Sequence, residues 1–560
     1  LRQRPRIAAP TALFALAAAG AGVYITVLGS RLTFLLDDWG YIFERRAFDA
    51  HAFFEPANEH LVAADVAAWK VLLPIFGIAS TVPYRIFSTT LLLAAVALLF
   101  LWVRRRIGPW PALLATIPVL FLGAGFEDLL WFTSGVSFLG AGAFGLGMLL
   151  ALDRHDRHGD EVACACLIGS MLWGSLWVAF AAGAAVDLVL RRRERPLLSR
   201  AFVLAVPLCL YGVWWLIWGR DAESALSFAN LAGTPLYVLD SVAAAIAAAL
   251  GLAIPVAGAE APNGLDWGRP LAVALIGLGA WRLRALRSIP VSFWVVLAAG
   301  LAFWAIAGLE LKAGRTASAS RYQLPSVIFL VLICVELVRG LDLRRRLLGP
   351  VLAVLAAAVL SNVVFLHQAY ESFHATTITE RADLAALEIA RDRVDPGFLL
   401  DEPLAGTPYL HLEAGSYLSG IDAFGSPGFT PAALARSPET ARADADRVLA
   451  AALAIELHLR PPAGLSGCRT LDGGGRALTL PPGGVSLRAG NAPIEGLKLA
   501  RFAGGEPPVT VPGRVPAGQA GVLAIPRDRS SRPWRMFVER GPDAAVCRLP
   551  RGPGSATDSM

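Results

Sequence analysis

Residues 7–29 read IAAPTALFALAAAGAGVYITVLG, a stretch without a single charge. At about 1.5 Å per helical residue it is long enough to cross roughly 30 Å of hydrocarbon, and Arg2, Arg4 and Arg6 stand just before it. A retained membrane anchor with a cytoplasmic N-terminus is therefore expected; the apolar core of a cleaved signal peptide is only about 7–15 residues long. The leading Leu1 adds the expectation of a start further upstream. The same pattern recurs. Apolar runs cover 84–103, 110–126, 134–151, 162–190, 200–218, 236–256, 270–281, 291–309, 324–338 and 347–366.

Composition agrees with that reading. Of the 560 residues 55% are hydrophobic and 17% charged, and mean hydropathy is +0.55, which excludes a water-soluble multidomain enzyme. Disordered and collagen-like chains are excluded too, because the glycines show no period of three and apolar residues abound. The net charge is +6, but the arginines fall in short clusters between apolar runs. They are topology signals, and no nucleic-acid partner is expected.

Five basic clusters, Arg104 to Arg106, Arg154/Arg157, Arg191 to Arg193, Arg282/Arg284/Arg287 and Arg344 to Arg346, are placed inside by the positive-inside rule. Loops 30–83, 127–133, 219–235 and 310–323 and the tail after 366 then lie outside. Run 162–190 has basic flanks at both ends, so it reads as two short helices meeting at Trp173 to Ser175. Run 236–256 must likewise begin and end on one side. The fold class is a polytopic α-helical membrane protein of about ten to thirteen helices with a C-terminal, extracytoplasmic, β-sandwich-like domain. Residues 1–366 form the transmembrane domain, 367–462 a helical or irregular extracytoplasmic connector, and 463–560 the β-rich domain.

In the tail, Thr376 to Val394 has a helical rhythm. Beyond it, the short runs Ala477–Leu480, Gly484–Leu487, Leu497–Phe502, Val509–Val511, Gly521–Ile525, Trp534–Val538 and Ala544–Leu549 alternate with Gly/Pro turns, the pattern of small antiparallel sheets. Four of the six cysteines lie in apolar runs. Cys468 and Cys547 lie near the two ends of the polar region placed outside the cytoplasm, and are expected to form a disulfide.

Chemistry-bearing residues collect in the outer loops. Asp37 and Asp38 follow the first apolar span, at the start of a segment able to form an amphipathic interfacial helix. Two adjacent carboxylates there repel each other unless a cation, a helix N-terminus or a substrate compensates them; N-capping is the plainer role. Asn58, Glu59 and His60 offer an amide, a carboxylate and an imidazole before the next helix. Glu127 and Asp128 make a second acidic pair, equally readable as a turn with a cap. Glu310, Lys312, Arg315, Arg321 and Tyr322 put positive charge on the outer side, against the usual bias. Snorkelling is one explanation, and phosphate recognition by guanidinium is the other.

On Asp37-Asp38, Glu127-Asp128 and Ser320-Arg321-Tyr322, in that order and on one side, residues 1–366 resemble the GT-C superfamily of polyprenyl-phosphate-sugar glycosyltransferases. The resemblance implies a GT-C-like fold and transfer of a sugar from a polyprenyl-phosphate donor to an envelope glycan, lipid or protein acceptor. Asp38, or else Asp37, would be the base. Lys312, Arg315 and Arg321, with Tyr322, would hold the departing phosphate. Glu127 and Asp128 would orient the acceptor or share a divalent metal cation with Asp37, and Asn58, Glu59 and His60 would line the substrate site. The setting implied is a bacterial plasma membrane, multi-pass, with the bilayer itself as a partner. The competing classes are a flippase or transporter of lipid-linked sugars, which concentrates charge at mid-membrane with Asp240 the main candidate, and a non-catalytic envelope scaffold.

Overall fold

The computed structural model describes residues 9–253, 264–341, 348–401, 404, 412–459, 466–470, 477–540 and 543–549. Arg2, Arg4, Arg6 and Arg344 to Arg346 lie outside the described residues. The chain divides into two compact units. The first comprises residues 1–34, 45–75 and 81–373; the second takes 35–44, 76–80 and everything from 374 onward.

The first unit is helical. In chain order it holds α1 (Ala9–Gly29), then, after α2 (Asp37–Phe43) of the second unit, α3 (Ala50–Phe54), α4 (Ala63–Phe76), α5 (Val82–Ile107), α6 (Pro109–Leu120), α7 (Phe126–Leu130) and α8 (Phe132–Leu152). There follow α9 (Arg157–Trp173), α10 (Trp177–Leu190), α11 (Leu197–Arg200), α12 (Phe202–Ile217), α13 (Phe228–Ala249), α14 (Leu265–Ala285), α15 (Val291–Leu309), α16 (Ser320–Val338) and the start of α17 (Leu348–Ala390). Among the described residues seven helices are long and apolar enough to cross a membrane, or eight if the bent α6–α7 segment counts as one span. That is fewer than the ten to thirteen expected. The shortfall has a physical cause: α10 and α12 are apolar but only 14 and 16 residues long, and α9 and α14 carry charge in their terminal turns.

The run 162–190 does break where expected, with Gly174 at φ 139° between α9 and α10. Both ends of α13 are held by side-chain amides. Asn230, in its first turn, donates to the carbonyls of Leu309 and Leu311 at 3.1 and 3.0 Å. At its last turn the Ala248 carbonyl accepts from Asn362, whose own side-chain oxygen accepts from the Ala124 N–H.

Two of the basic clusters, through Arg106 and Arg191, meet at one end of the helical unit. Arg106 bridges Asp153, at the end of α8, and Glu336, near the end of α16. Asp187 binds both Arg191 and the fully buried Arg200. Helices α5, α8, α10 and α16 therefore bring their charged termini into one neutralised layer, as buried charges require.

The second unit contains α2, the later part of α17 and the tail. The α2 helix packs through Trp39, stacked on Phe43 at 5.7 Å, and Phe43 meets Tyr417 edge-on. The two sides fit closely, since a Cβ at Gly420 would lie 2.1 Å from the Phe43 ring. This corrects the expectation of an interfacial amphipathic helix at 37–48: five of the seven α2 residues are buried. Residues 76–80 join through the Ile78 N–H, which donates to the Phe424 carbonyl at 2.8 Å.

The tail forms small antiparallel sheets. With β1 (Leu399–Leu400), β2 (Leu412–Glu413), β3 (Leu457–His458), β4 (Ser466–Thr470), β5 (Leu478–Thr479), β6 (Gly483–Arg488), β7 (Glu495–Ala500), β8 (Val509–Thr510), β9 (Ala520–Ile525), β10 (Arg535–Arg540) and β11 (Ala545–Arg548), the orders are β1-β2, β5-β10-β7-β8 and β3-β9-β6-β11-β4. Each of the seven runs read as strands carries one. The disulfide Cys468–Cys547 joins β4 to its neighbour β11. Closing a loop of 79 residues, it stabilises the fold by about 4 kcal/mol on the chain-entropy model.

Candidate functional site

A charged cluster occupies the end of the first unit opposite the basic layer. Its first wall is the tight turn Ala57–His60, closed by paired backbone hydrogen bonds of 3.1 and 3.0 Å. Asn58 takes the left-handed conformation there (φ 51°), which asparagine tolerates better than most residues. The turn presents Glu59 and His60 inward. Glu59 accepts from both terminal nitrogens of Arg315. The Nε2 of His60 lies 3.5 Å from Glu59 Oε1, and its Nδ1 is hydrogen-bonded to the Ser175 hydroxyl at 2.5 Å.

The second wall comes from the sharp bend after α6. Segments 109–120 and 123–130 meet at 46°, and the bend needs a glycine: a Cβ on Gly123 would sit 1.9 Å from the Asn362 carbonyl oxygen. Glu127 is thereby brought to Arg321, with Oε2 and Nε 3.0 Å apart, while its backbone N–H donates to Ser320 at 3.1 Å. Asp128 is buried and accepts from Ser134 at 3.0 Å. Its second oxygen has no hydrogen-bond partner among the described residues.

The third wall is the loop before α16. Gln323 pins it by donating to the carbonyls of Ala317 and Ala319, and Tyr237 donates to the Arg315 carbonyl. Tyr322 stands between the two ion pairs and feels the charges of Glu59, Glu127, Arg315 and Arg321. Its ring rests edge-on against Phe138 and Phe303. Lys312 is exposed, and its charge reaches His60. Glu310 is engaged by Ser224 and the Ala225 N–H.

Electrostatics fix the protonation of the turn. Burial pushes the Glu59 carboxyl up, but hydrogen bonding from Arg315 and the neighbouring positive charges more than offset it, so Glu59 stays below the ordinary carboxylate range. Burial also lowers His60, against the opposing pull of Glu59, which leaves a neutral imidazole at neutral pH.

Asn58, Glu59, His60, Glu127, Asp128, Lys312, Arg315, Arg321 and Tyr322 thus all belong to one end of one unit. Asp37 and Asp38 belong to the other. There Asp38 is buried, and it does not cap α2: its carboxylate turns back to accept from the Leu35 N–H at 3.0 Å, with Leu36 between them at φ 47°. Trp39 reaches Glu380 with its indole N–H at 3.4 Å.

Two carboxylates escaped sequence reasoning. Glu380 and Asp383 are buried on α17, and neither oxygen of Asp383 has a hydrogen-bond partner among the described residues. Their spacing with Leu384 and Leu387 (i, i+3, i+4, i+7) is the signal that places them on the packed stripe. Ser175 was readable only as part of a helix break. Among the described residues no group of three or more His, Cys, Asp or Glu is arranged to hold a metal ion, so the implied divalent cation has no fitting ligand set there and no step is derived through it. Asp240, the candidate mid-membrane charge, is matched by Arg269 in a two-point ion pair at 2.8 and 2.9 Å. No protein-family model matches the chain, and no curated protein matches it.

Proposed function

We propose that the chain is a multi-pass glycosyltransferase of a bacterial plasma membrane, GT-C-like in its helical part and carrying its β-rich tail outside the cytoplasm. It moves a sugar from a polyprenyl-phosphate donor to an envelope glycan, lipid or protein acceptor. The observation that carries this reading is the pairing of Glu59 with Arg315 and of Glu127 with Arg321 around Tyr322, at the end of the helical unit away from the basic layer.

An isoprenoid donor cannot leave the bilayer, because each buried CH₂ is worth about 0.8 kcal/mol. Its phosphate must be met at the interface. Arg315 and Arg321, always charged and fork-shaped, stabilise the negative charge that grows on the departing phosphate, with Lys312 near the rim. The acceptor hydroxyl must lose a proton to a carboxylate as the anomeric carbon passes through an oxocarbenium-like state, and Asp38, which belongs to the second unit, is the residue to test for that role. The Asp240–Arg269 pair speaks against a transporter that would use Asp240 as a bare intramembrane charge.

The test is a screen of labelled polyprenyl-phosphate sugars with membranes containing the chain, followed by Asp38→Asn with the accepted donor. Transfer that is lost in the variant supports the reading. Unchanged transfer removes Asp38 from the mechanism, and a wild type inert with every donor defeats the proposal.

A further inference from the structure

A serine, an imidazole, a carboxylate and a guanidinium form an unbroken chain in the first unit. The Ser175 hydroxyl contacts His60 Nδ1, His60 Nε2 faces Glu59, and Glu59 is held at both oxygens by Arg315. We infer that Ser175 is a nucleophile activated by His60 and Glu59, giving the protein an acyl-transfer or ester-cleaving activity toward lipid-borne acyl esters, separate from glycosyl transfer.

The contact order is that of an activated hydroxyl, in which a base touches the nucleophile and a third group orients the base. Arg315 keeps Glu59 ionised, and an anion 3.5 Å from Nε2 favours the tautomer with the proton on that nitrogen, which leaves Nδ1 free to take a proton; the separation is of the loose kind that tightens on substrate binding. Backbone geometry supports the role. Gly174 at φ 139° turns the chain sharply, so Ser175 sits at the head of α10 instead of within a helix. The N–H groups of Leu176 and Trp177 lie at the first turn of that 14-residue helix, where the helix itself supplies no acceptor, and can receive a developing oxyanion. Ser175 is half-buried and the His60 side chain 35% exposed, so a substrate can reach both.

The class of substrate follows from the setting. Ser175 lies in the helical unit whose long helices are apolar enough to cross a membrane, so the esters within its reach are lipid-borne. The Ser175 oxygen adds to the ester carbonyl while its proton passes to His60 Nδ1. The tetrahedral species collapses to acyl-Ser175, and the alcohol leaves with that proton. Water or a second alcohol then reverses the sequence and releases the acyl group.

A fluorophosphonate probe reads this chemistry without knowledge of the substrate or of any sugar donor: the Oγ–P bond forms, fluoride leaves, and His60 takes the proton. The full chain in detergent micelles is treated with the probe, and the labelled peptide is identified by mass spectrometry, with Ser175→Ala and His60→Gln alongside. Labelling of Ser175, absent in Ser175→Ala and slowed at least a hundredfold in His60→Gln, is expected. No labelling of wild type while a serine hydrolase added to the same micelles reacts, labelling elsewhere only, or an unchanged rate in His60→Gln overturns the inference. Peptide mapping of the wild type decides even where a variant misfolds. The donor screen is independent, so either reading can fail alone.

Discussion

Arg315, in the loop before α16, closes a two-point ion pair on Glu59, 256 residues earlier in the chain, with both side chains at least 85% buried. Removing one partner strands the other charge. Arg315→Met is expected to destabilise the protein by about 3 kcal/mol, and adding Glu59→Leu to recover most of the loss, because an apolar pair of similar volume replaces a buried ionic one at little cost. Unfolding in detergent micelles, as a double-mutant cycle, measures the coupling.

The same turn sets an acid limit on stability. His60 is held below its ordinary value in the fold, so the unfolded chain binds that proton more readily. The stabilisation is complete above about pH 6.5, the unfolded value, and is lost as pH falls through the folded one. Glu59 is lowered as well, so its share is present above the ordinary carboxylate range and disappears at still lower pH. Melting temperature followed from pH 8 to 2 is expected to fall in two stages, and His60→Gln to flatten the first while leaving the second.

Arg321 separates charge from shape. If it meets a phosphate through its fork, Arg321→Lys keeps the positive charge but loses the two-point contact. Transfer with the accepted donor is expected to fall about a hundredfold in Arg321→Lys, close to the loss in Arg321→Ala. Full activity in the lysine variant would mean that charge alone suffices.

How much of this was legible beforehand depended on the range of the forces involved. The apolar runs, the break at Gly174 and the seven strand-bearing segments are local: they follow from hydrophobic period and turn chemistry. The charge rule also grouped residues 58–60, 127–128, 315 and 321–322 on one side. It could not say which carboxylate meets which arginine, since those pairings join segments hundreds of residues apart and depend on the bend at Gly123. Sidedness likewise joined Asp37 and Asp38 to that group, whereas packing of Trp39 and Phe43 ties α2 to the second unit. Glu380 and Asp383 were missed although the helical rhythm of 376–394 was legible: the rhythm alone did not say that their stripe is buried.

Asp383 tests what that burial costs. A carboxyl group with neither oxygen partnered among the described residues is costly to keep. Asp383→Leu is expected to raise stability by about 1–3 kcal/mol in chemical unfolding. A variant that is less stable than wild type would show that the carboxylate is part of the packing.

Because each arginine of the cluster already faces a carboxylate, the site projects almost no net field into its surroundings. An anionic lipid headgroup would not be drawn in from afar. It would arrive by lateral diffusion and then swap places with Glu59 or Glu127, so its capture rate would depend on membrane concentration and scarcely on ionic strength.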